Sequence, residues 1–297
     1  MRFGDTRYDH RVPESPSLGP ALLKRRLGEE LRKLRTAANV TVAQTAAELG
    51  SSEAKVRHLE NGRNVPSKPD LTVMIGLYHA PPGVHADLEE LRQAATMRGW
   101  WSSYRLPGWL HNFVGMEADA SLIRNFELEL IPGLLQTEAY AREIHQLGKH
   151  LKHDERTVNR LVRARLKRQE ILTREQPATF HAVISEAALH RLRDTDFALD
   201  QCRHLLRMAD RPNVTITVLP FAKRLHQSMS GGFILLSFPD DSSAPVAYSD
   251  YAFGGQMEHE PNVVAQLSEV FDELAEQALS EKQSAEFIGD WLQGERK

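Results

Sequence analysis

The stretch Thr41–Arg63, TVAQTAAELGSSEAKVRHLENGR, decides how the amino-terminal part of this chain folds. Thr41 caps a helix whose inward positions Val42, Thr45, Ala46 and Leu49 fall at helical spacing, and Gly50 breaks the pattern. Ser52 caps a second helix, with Val56 and Leu59 turned inward and Glu53, Ala54, Lys55, Arg57 and His58 left for its outer or leading face. Asn61-Gly62 ends it, because Asn and Gly tolerate a left-handed backbone. Two short helices therefore meet at a Gly-Ser-Ser corner.

Working outward, Leu27, Leu31 and Leu34 sit at i, i+4 and i+7, which predicts a first helix from about Leu22 to Ala38 packed across both. Downstream, Leu71, Met74, Ile75 and Tyr78 repeat the pattern, as do Leu88, Leu91 and Ala95. Five short helices around one core account for residues 22–98. The segment resembles the Xre/Cro/C1-type helix-turn-helix domains, through Ala46, Leu49-Gly50, Ser52, Val56 and the run Leu59-Glu60-Asn61-Gly62-Arg63. It departs in having Asn39 where that family usually has Gly before the second helix, and Val42 where it often has Gln.

The resemblance implies that the third helix enters the DNA major groove, its leading residues reaching base edges while surrounding donors hold phosphates. The base-reading candidates are Glu53, Ala54, Lys55 and His58. Lys55 suits guanine O6 and N7, Glu53 suits cytosine N4, and the Ala54 methyl suits a thymine methyl. Ser52, Arg57, Asn61, Arg63 and Lys68 are the phosphate candidates. By the same resemblance Glu60 pairs with Arg35 as a structural ion pair, which excludes both from base readout.

Charge divides the chain in the same sense. Residues 1–68 hold 13 Lys and Arg against 8 Asp and Glu, net +5, leaving 24 against 32, net −8, in the remainder. A basic end supplies the counterion-release contribution to DNA association, and an acidic remainder limits nonspecific adhesion. The lone Cys202 excludes an internal disulfide framework and reads as packing beside Leu205 and Leu206. No run approaches eighteen apolar residues and the first twenty lack a hydrophobic signal region, so a cytoplasmic protein without a membrane partner is expected.

Residues 1–20, with Pro13, Pro16, Gly19 and Pro20 among charges, read as a disordered arm. Residues 21–99 form the helix-turn-helix domain. Trp100-Trp101-Ser-Ser-Tyr104 and Pro107-Gly108-Trp109 read as an aromatic hinge over 100–112, packing two domains together. Residues 113–297 then alternate helices (115–125, 137–147, 154–174, 185–193, 196–209, 261–279, 281–293) with strands (126–131, 179–184, 214–219, 232–238, 246–250). The fold class expected is mainly α: a five-helix domain followed by an α+β domain with a small sheet. Arg156, Arg160, Arg163 and Lys167 form one positive stripe, read as a solvated face.

Four strings in the second half are similar to the domain that follows Xre-type helix-turn-helices in actinomycete regulators of the WhiJ kind. They are Ile131-Pro132-Gly133-Leu134-Leu135-Gln136-Thr137 with Ala139-Tyr140-Ala141-Arg142, then Arg165 to Gln169, Ile184-Ser185-Glu186-Ala187-Ala188-Leu189, and Val214 to Pro220, with Ala278-Leu279-Ser280 and Ser284 closing the set. Pro132-Gly133 makes a turn and Thr137 caps the next helix, so the first string needs no ligand to explain it. The resemblance implies a transcriptional regulator, a homodimeric repressor whose second domain senses a small acidic partner protein or a small-molecule effector. The alternative it implies is an antitoxin-like protein that neutralises a small partner and binds DNA for autoregulation.

Chemistry elsewhere is thin. His145, His150 and His153 are spaced poorly for a metal, and Glu258-His259-Glu260 before Pro261 reads as a helix entrance. Ser228–Gly232, SMSGG, lacks the Lys of a phosphate loop, and its glycines suit the start of a strand. No nucleophile, base and orienting acid stand together, so neither catalysis, metal nor cofactor is expected.

Overall fold

The computed structural model describes residues 18–147, 154–239, 243–251 and 254–293, and the chain divides into two compact units, residues 1–97 and 98–297. The arm expected over residues 1–20 falls almost wholly outside the described residues, as do His150 and His153 of the histidine set.

The first unit contains α1 (Pro20–Ala37), α2 (Val42–Glu48), α3 (Glu53–Glu60), α4 (Lys68–Leu77) and α5 (Val84–Ala95). Each start has a local cause. Pro20 opens α1, where its missing N–H costs nothing, and the Thr41, Ser52 and Ser67 side chains accept from the Gln44, Lys55 and Asp70 amides at the starts of α2, α3 and α4. Gln44 returns a bond to the Thr41 amide at 2.8 Å, completing a capping box. The breaks fall at Asn39 (φ 56°) and Gly50 (φ 56°), positions an ordinary side chain would strain. Leu27, Leu31, Leu59, Leu71, Met74, Ile75, Tyr78 and Leu88 pack as one core.

Gly28 explains how closely α1 meets α3. A Cβ there would lie 2.5 Å from the Leu59 carbonyl oxygen and 2.6 Å from that of Glu60. Main chain touches main chain at this crossing, so glycine in mid-helix, unfavourable by propensity, is required by packing.

The second unit is built on a six-stranded mixed sheet of order β3-β2-β1-β4-β5-β6. Its strands are β1 (Leu122–Glu127), β2 (Thr179–Ser185), β3 (Val214–Leu219), β4 (Phe233–Ser237), β5 (Val246–Tyr251) and β6 (Gly254–Glu258). The first three are parallel, while β4 runs antiparallel to β1, β5 to β4, and β6 to β5. Around it stand α6 (Gly108–Asp119), α7 (Glu138–Leu147), α8 (Glu155–Gln169), α9 (Glu186–His190), α10 (Ala198–Ala209), α11 (Pro261–Gln277) and α12 (Glu281–Gln293). One face of the sheet lays Phe126, Val183, Phe233, Leu235 and Ala247 against Val264, Phe271 and Leu274 of α11. On the other face Tyr248 stacks on Phe113 of α6, ring centroids 4.0 Å apart.

Several expected boundaries are corrected. The helix placed at 115–125 is α6, seven residues earlier at its start, and the strand placed at 126–131 is β1, which ends at Glu127. The string Leu122-Ile-Arg-Asn-Phe-Glu127 reads equally as an apolar helical turn, and pairing with β2 and β4 decides for strand. The sheet is larger than expected because β6, GGQME, has too little β propensity to show locally and forms by pairing with β5. The helix expected over 154–174 ends at Gln169, followed by a 3-10 turn at Glu170–Leu172. Within residues 100–112, Trp100–Tyr104 is a 3-10 turn and Gly108 begins α6, and these residues group with the second unit. Trp101 is buried edge-on to Trp100 and His111.

Among the described residues no helix is long and apolar enough to cross a membrane, and no group of three or more His, Cys, Asp or Glu is placed to hold a metal ion.

Candidate functional site

In the first unit the capped α3 follows the Gly50 corner and presents Ser52, Glu53, Ala54 and Arg57 to solvent, with Lys55 and His58 half-buried at its flank and Val56, Leu59 and Glu60 buried beneath. Asn61, Arg63 and Lys68 are exposed just beyond it. The base and phosphate candidates lie on α3, at its cap, in the turn after it and at the start of α4. Several of their charges have partners. Lys55 Nζ donates to Asp70 Oδ2 at 3.0 Å, Arg57 to Glu53 at 2.9 Å, and Arg63 Nη1 lies 3.5 Å from His58 Nε2. Against partial burial, which alone would raise it, bonds from Lys55 and Ser67 hold the Asp70 carboxyl below its usual range.

Beneath α3, Arg35 reaches across from α1 and grips Glu60 with two bonds, 2.5 and 3.0 Å, while its third bond goes to the Val40 carbonyl at 2.9 Å. The pair is nearly enclosed, 14% and 5% exposed. It ties α1, and the Val40 carbonyl just before α2, to the end of α3.

The second unit explains the four strings quoted above as internal locks. Gln136 donates to the Ile131 carbonyl at 2.8 Å and accepts from Arg165 Nη1 at 2.6 Å. Gln169 donates to the Gly133 and Gln136 carbonyls, Gln201 clasps Leu135 and Thr137, and Tyr140 accepts from the Ile131 amide. Thr137 accepts from Tyr140 N at 3.3 Å, capping α7. Ser185 caps α9, Glu186 accepts from the Phe221 amide, and Ser284 accepts from Val218 N while donating to the Leu279 carbonyl. These residues satisfy buried backbone that would otherwise lack partners, which is reason enough for so specific a pattern.

Sequence reasoning missed a polar cluster between β1, β5, α6 and α8. Arg168 of α8 forms a bidentate pair with Glu117 of α6, at 2.6 and 2.8 Å, with 7% and 2% of their side chains exposed. Its guanidinium lies 5.1 Å from the Phe113 ring centre. Beside it stand Arg165, Glu127, Asn125 and Tyr248. The signal was in the spacing: Val158, Leu161, Val162, Arg165 and Arg168 share one helical stripe, so the two arginines occupy core register. The stripe Arg156, Arg160, Arg163 and Lys167 drew the eye to the opposite face; Arg156 and Arg163 are exposed there and Lys167 bonds Glu170.

Burial and then the neighbouring Asp250 push the Glu127 carboxyl up to about 8, against the Asn125 hydrogen bond and the positive fields of Arg165 and Arg168. Between the ordinary value of 4.5 and about 8 the folded chain therefore keeps a proton that the unfolded chain releases. Stability from this group is complete below that window and is lost as pH rises through it. Glu127→Gln is expected to flatten the fall in the second unit's urea midpoint between about pH 5 and pH 8. An undiminished slope in the variant would assign the effect to another group.

The remaining sequence candidates are structural. Glu258 Oε1 accepts from the His259 and Glu260 amides, making that trio a helix entrance. Ser228 closes its loop on the Gly231 carbonyl at 2.6 Å and Gly232 leads into β4. Cys202 is buried, its thiol pushed up to about 11 by desolvation, which suits packing rather than reactivity.

A capped third helix exposed along one face of a compact helical unit is the pattern of a helix-turn-helix protein, the class to which DNA-binding regulators belong, and residues 26–88 match the model of a helix-turn-helix domain. Residues 110–290, more than half of the chain, match the family described as a domain of unknown function, DUF5753, and the chain belongs to that family. No curated protein and no solved structure matches the chain.

Proposed function

We propose that this protein is a sequence-specific transcriptional regulator acting in the cytoplasm as a homodimeric repressor, whose second unit senses a partner or a small ligand. The observation behind the first half is the exposed α3 with its capped start, tied at its end to α1 by Arg35 and Glu60 within a helix-turn-helix domain. Dimerisation follows from reach: one recognition helix reads only a few base pairs, and two copies join half-sites roughly 34 Å apart. Lys55 donates to Asp70, so engaging a guanine would exchange one charge-assisted bond for another.

Footprinting with genomic fragments tests the reading. A protected palindrome supports it, and the absence of any sequence-preferring protection at low salt refutes it. On the operator so found, Lys55→Ala is expected to cost roughly 1–3 kcal/mol and to relax one base position. Equal loss on random DNA would remove Lys55 from base reading. Arg63→Ala is instead expected to weaken all sequences alike and to lower the salt slope by about one unit, measured by fluorescence anisotropy across a salt series. An unchanged slope would remove it from the phosphate set.

A second reading, an antitoxin-like protein that neutralises a small acidic partner, draws on one loop. Phe221, Leu225 and Met229 are all more than half or about half exposed there, with Lys223 and Arg224 between them. An apolar surface interleaved with positive charge suits an acidic partner. A small acidic protein that co-purifies and is released by Leu225→Glu would favour this reading.

A further inference from the structure

Two helices of the second unit carry opposite charge at the same spacing. Arg156, Arg160 and Arg163 fall at i, i+4 and i+7 of α8, and Glu269, Glu273 and Glu276 fall at i, i+4 and i+7 of α11. Each set lies on the side of its helix opposite the buried residues, which are Val158, Leu161 and Val162 in α8 and Val264, Phe271 and Leu274 in α11. Arg156, Arg163 and the three glutamates are exposed, and Arg160 is half-buried. Each set is therefore an outward ridge of charge, about 10 Å long at the rise of an α-helix.

Neither ridge is neutralised within the chain. Asp154 at the start of α8 feels the field of Arg156 and Arg160 but accepts from the Thr157 amide at 2.8 Å. Among the described residues no carboxylate comes within ion-pair distance of Arg156, Arg160 or Arg163, and no cation comes within that distance of Glu269, Glu273 or Glu276. Glu273 accepts from the Gln227 side-chain amide, which leaves its carboxylate further acceptor capacity. Other surface cations of this unit do take carboxylates, Arg142 on Glu138, Arg191 on Glu129 and Lys282 on Glu286.

Placement in the fold decides what can cover the ridges. α11 lies against Phe126 and Ala247 on one face of the sheet. α8 is held by Arg168 to Glu117 of α6, which stacks Phe113 on Tyr248 on the other face, Ala247 and Tyr248 being successive residues of β5. A basic ridge on one side and an acidic ridge on the other cannot both be satisfied by a single two-fold partner. They match between successive copies, in a heterologous contact that repeats. With the helices laid parallel, Arg156 meets Glu269, Arg160 meets Glu273 and Arg163 meets Glu276.

We propose that the basic ridge of α8 docks on the acidic ridge of α11 in a second copy of this chain, joining copies head to tail. Three surface ion pairs make a weak, salt-sensitive contact. Such a contact suits copies already held side by side on neighbouring DNA sites, where the effective concentration is high. That role, unlike the contact itself, rests on the reading of the protein as a DNA-binding regulator.

Sedimentation velocity of the full chain over a concentration series, at low salt and at about 0.5 M salt, is the test. Mass is expected to grow with concentration at low salt and to stop growing at high salt. Two variants, Arg156→Glu with Arg163→Glu and Glu269→Arg with Glu276→Arg, change only exposed side chains without ion-pair partners, so their urea midpoints are expected to hold. Each alone is expected to associate about tenfold or more weakly, because like charges then face each other. An equimolar mixture of the two is expected to regain the growth, since each copy offers the charge that the other lacks. No growth of the parental chain, growth undiminished in either variant, or a mixture no better than its components overturns the contact. If Arg156→Glu with Arg163→Glu associates as the parent does but loses affinity for a single operator, the ridge belongs to DNA and the proposal falls. Growth without any operator binding refutes the regulator and leaves the contact, while operator binding without growth does the reverse.

Discussion

Glu117→Ala is expected to destabilise the second unit by about 3–5 kcal/mol, a large share of the whole stability of a domain this size. The reason is what remains. Arg168 would keep its place under Phe113, almost without solvent, with both of its carboxylate bonds gone and Arg165 one helical turn away. A second positive charge nearby makes the uncompensated guanidinium worse rather than better. Urea unfolding of the full chain reads the loss as a lower midpoint for the second unit. The double variant Glu117→Ala, Arg168→Met is expected to recover much of it, because removing both charges removes the desolvation cost along with the attraction. If the single variant unfolds at the parental midpoint, the pair is not stabilising the fold.

Glu60→Ala is the corresponding experiment in the first unit, with an expected cost of about 3 kcal/mol, at the lower end of the range because Arg35 retains some contact with water. Here the effect extends to function. Arg35 holds Glu60, at the end of α3, and the Val40 carbonyl, just before α2, at the same time, so losing the carboxylate frees the corner as well as the charge. Operator affinity is expected to fall even at temperatures where the unit stays folded, while Lys55→Ala leaves stability unchanged. Calorimetry for the first unit's transition and anisotropy for affinity distinguish the two. A variant that melts earlier yet binds the operator with parental affinity would show that the pair stabilises the unit without aiming the helix.

The first unit was readable because its signals are local. Each cap, break and apolar stripe from Pro20 to Ala95 is decided within a turn or two of helix, and the residues offered by α3 follow from its phase. What was not readable there is the crossing of α1 on α3: Gly28 looks like an ordinary helical blemish until the Leu59 and Glu60 carbonyls are brought against it.

In the second unit the strings around Gln136, Gln169, Ser185 and Ser284 were conspicuous in the sequence, yet their partners lie tens of residues away, so the pattern could be seen while its purpose could not. Strand β6 and the boundary between α6 and β1 were lost for the same reason, since short segments take their state from the strand they pair with.

By itself, then, the sequence determined the helices of the first unit, the exposed face of its third helix and the presence of a second, mixed unit, because these depend on periodicity and capping between near neighbours. Only the tertiary structure decided that Arg168 is spent on Glu117 while Arg165, three residues earlier, bonds Gln136. Packing between elements distant in the chain places those charges, and nothing in the residues beside them encodes which partner each will find.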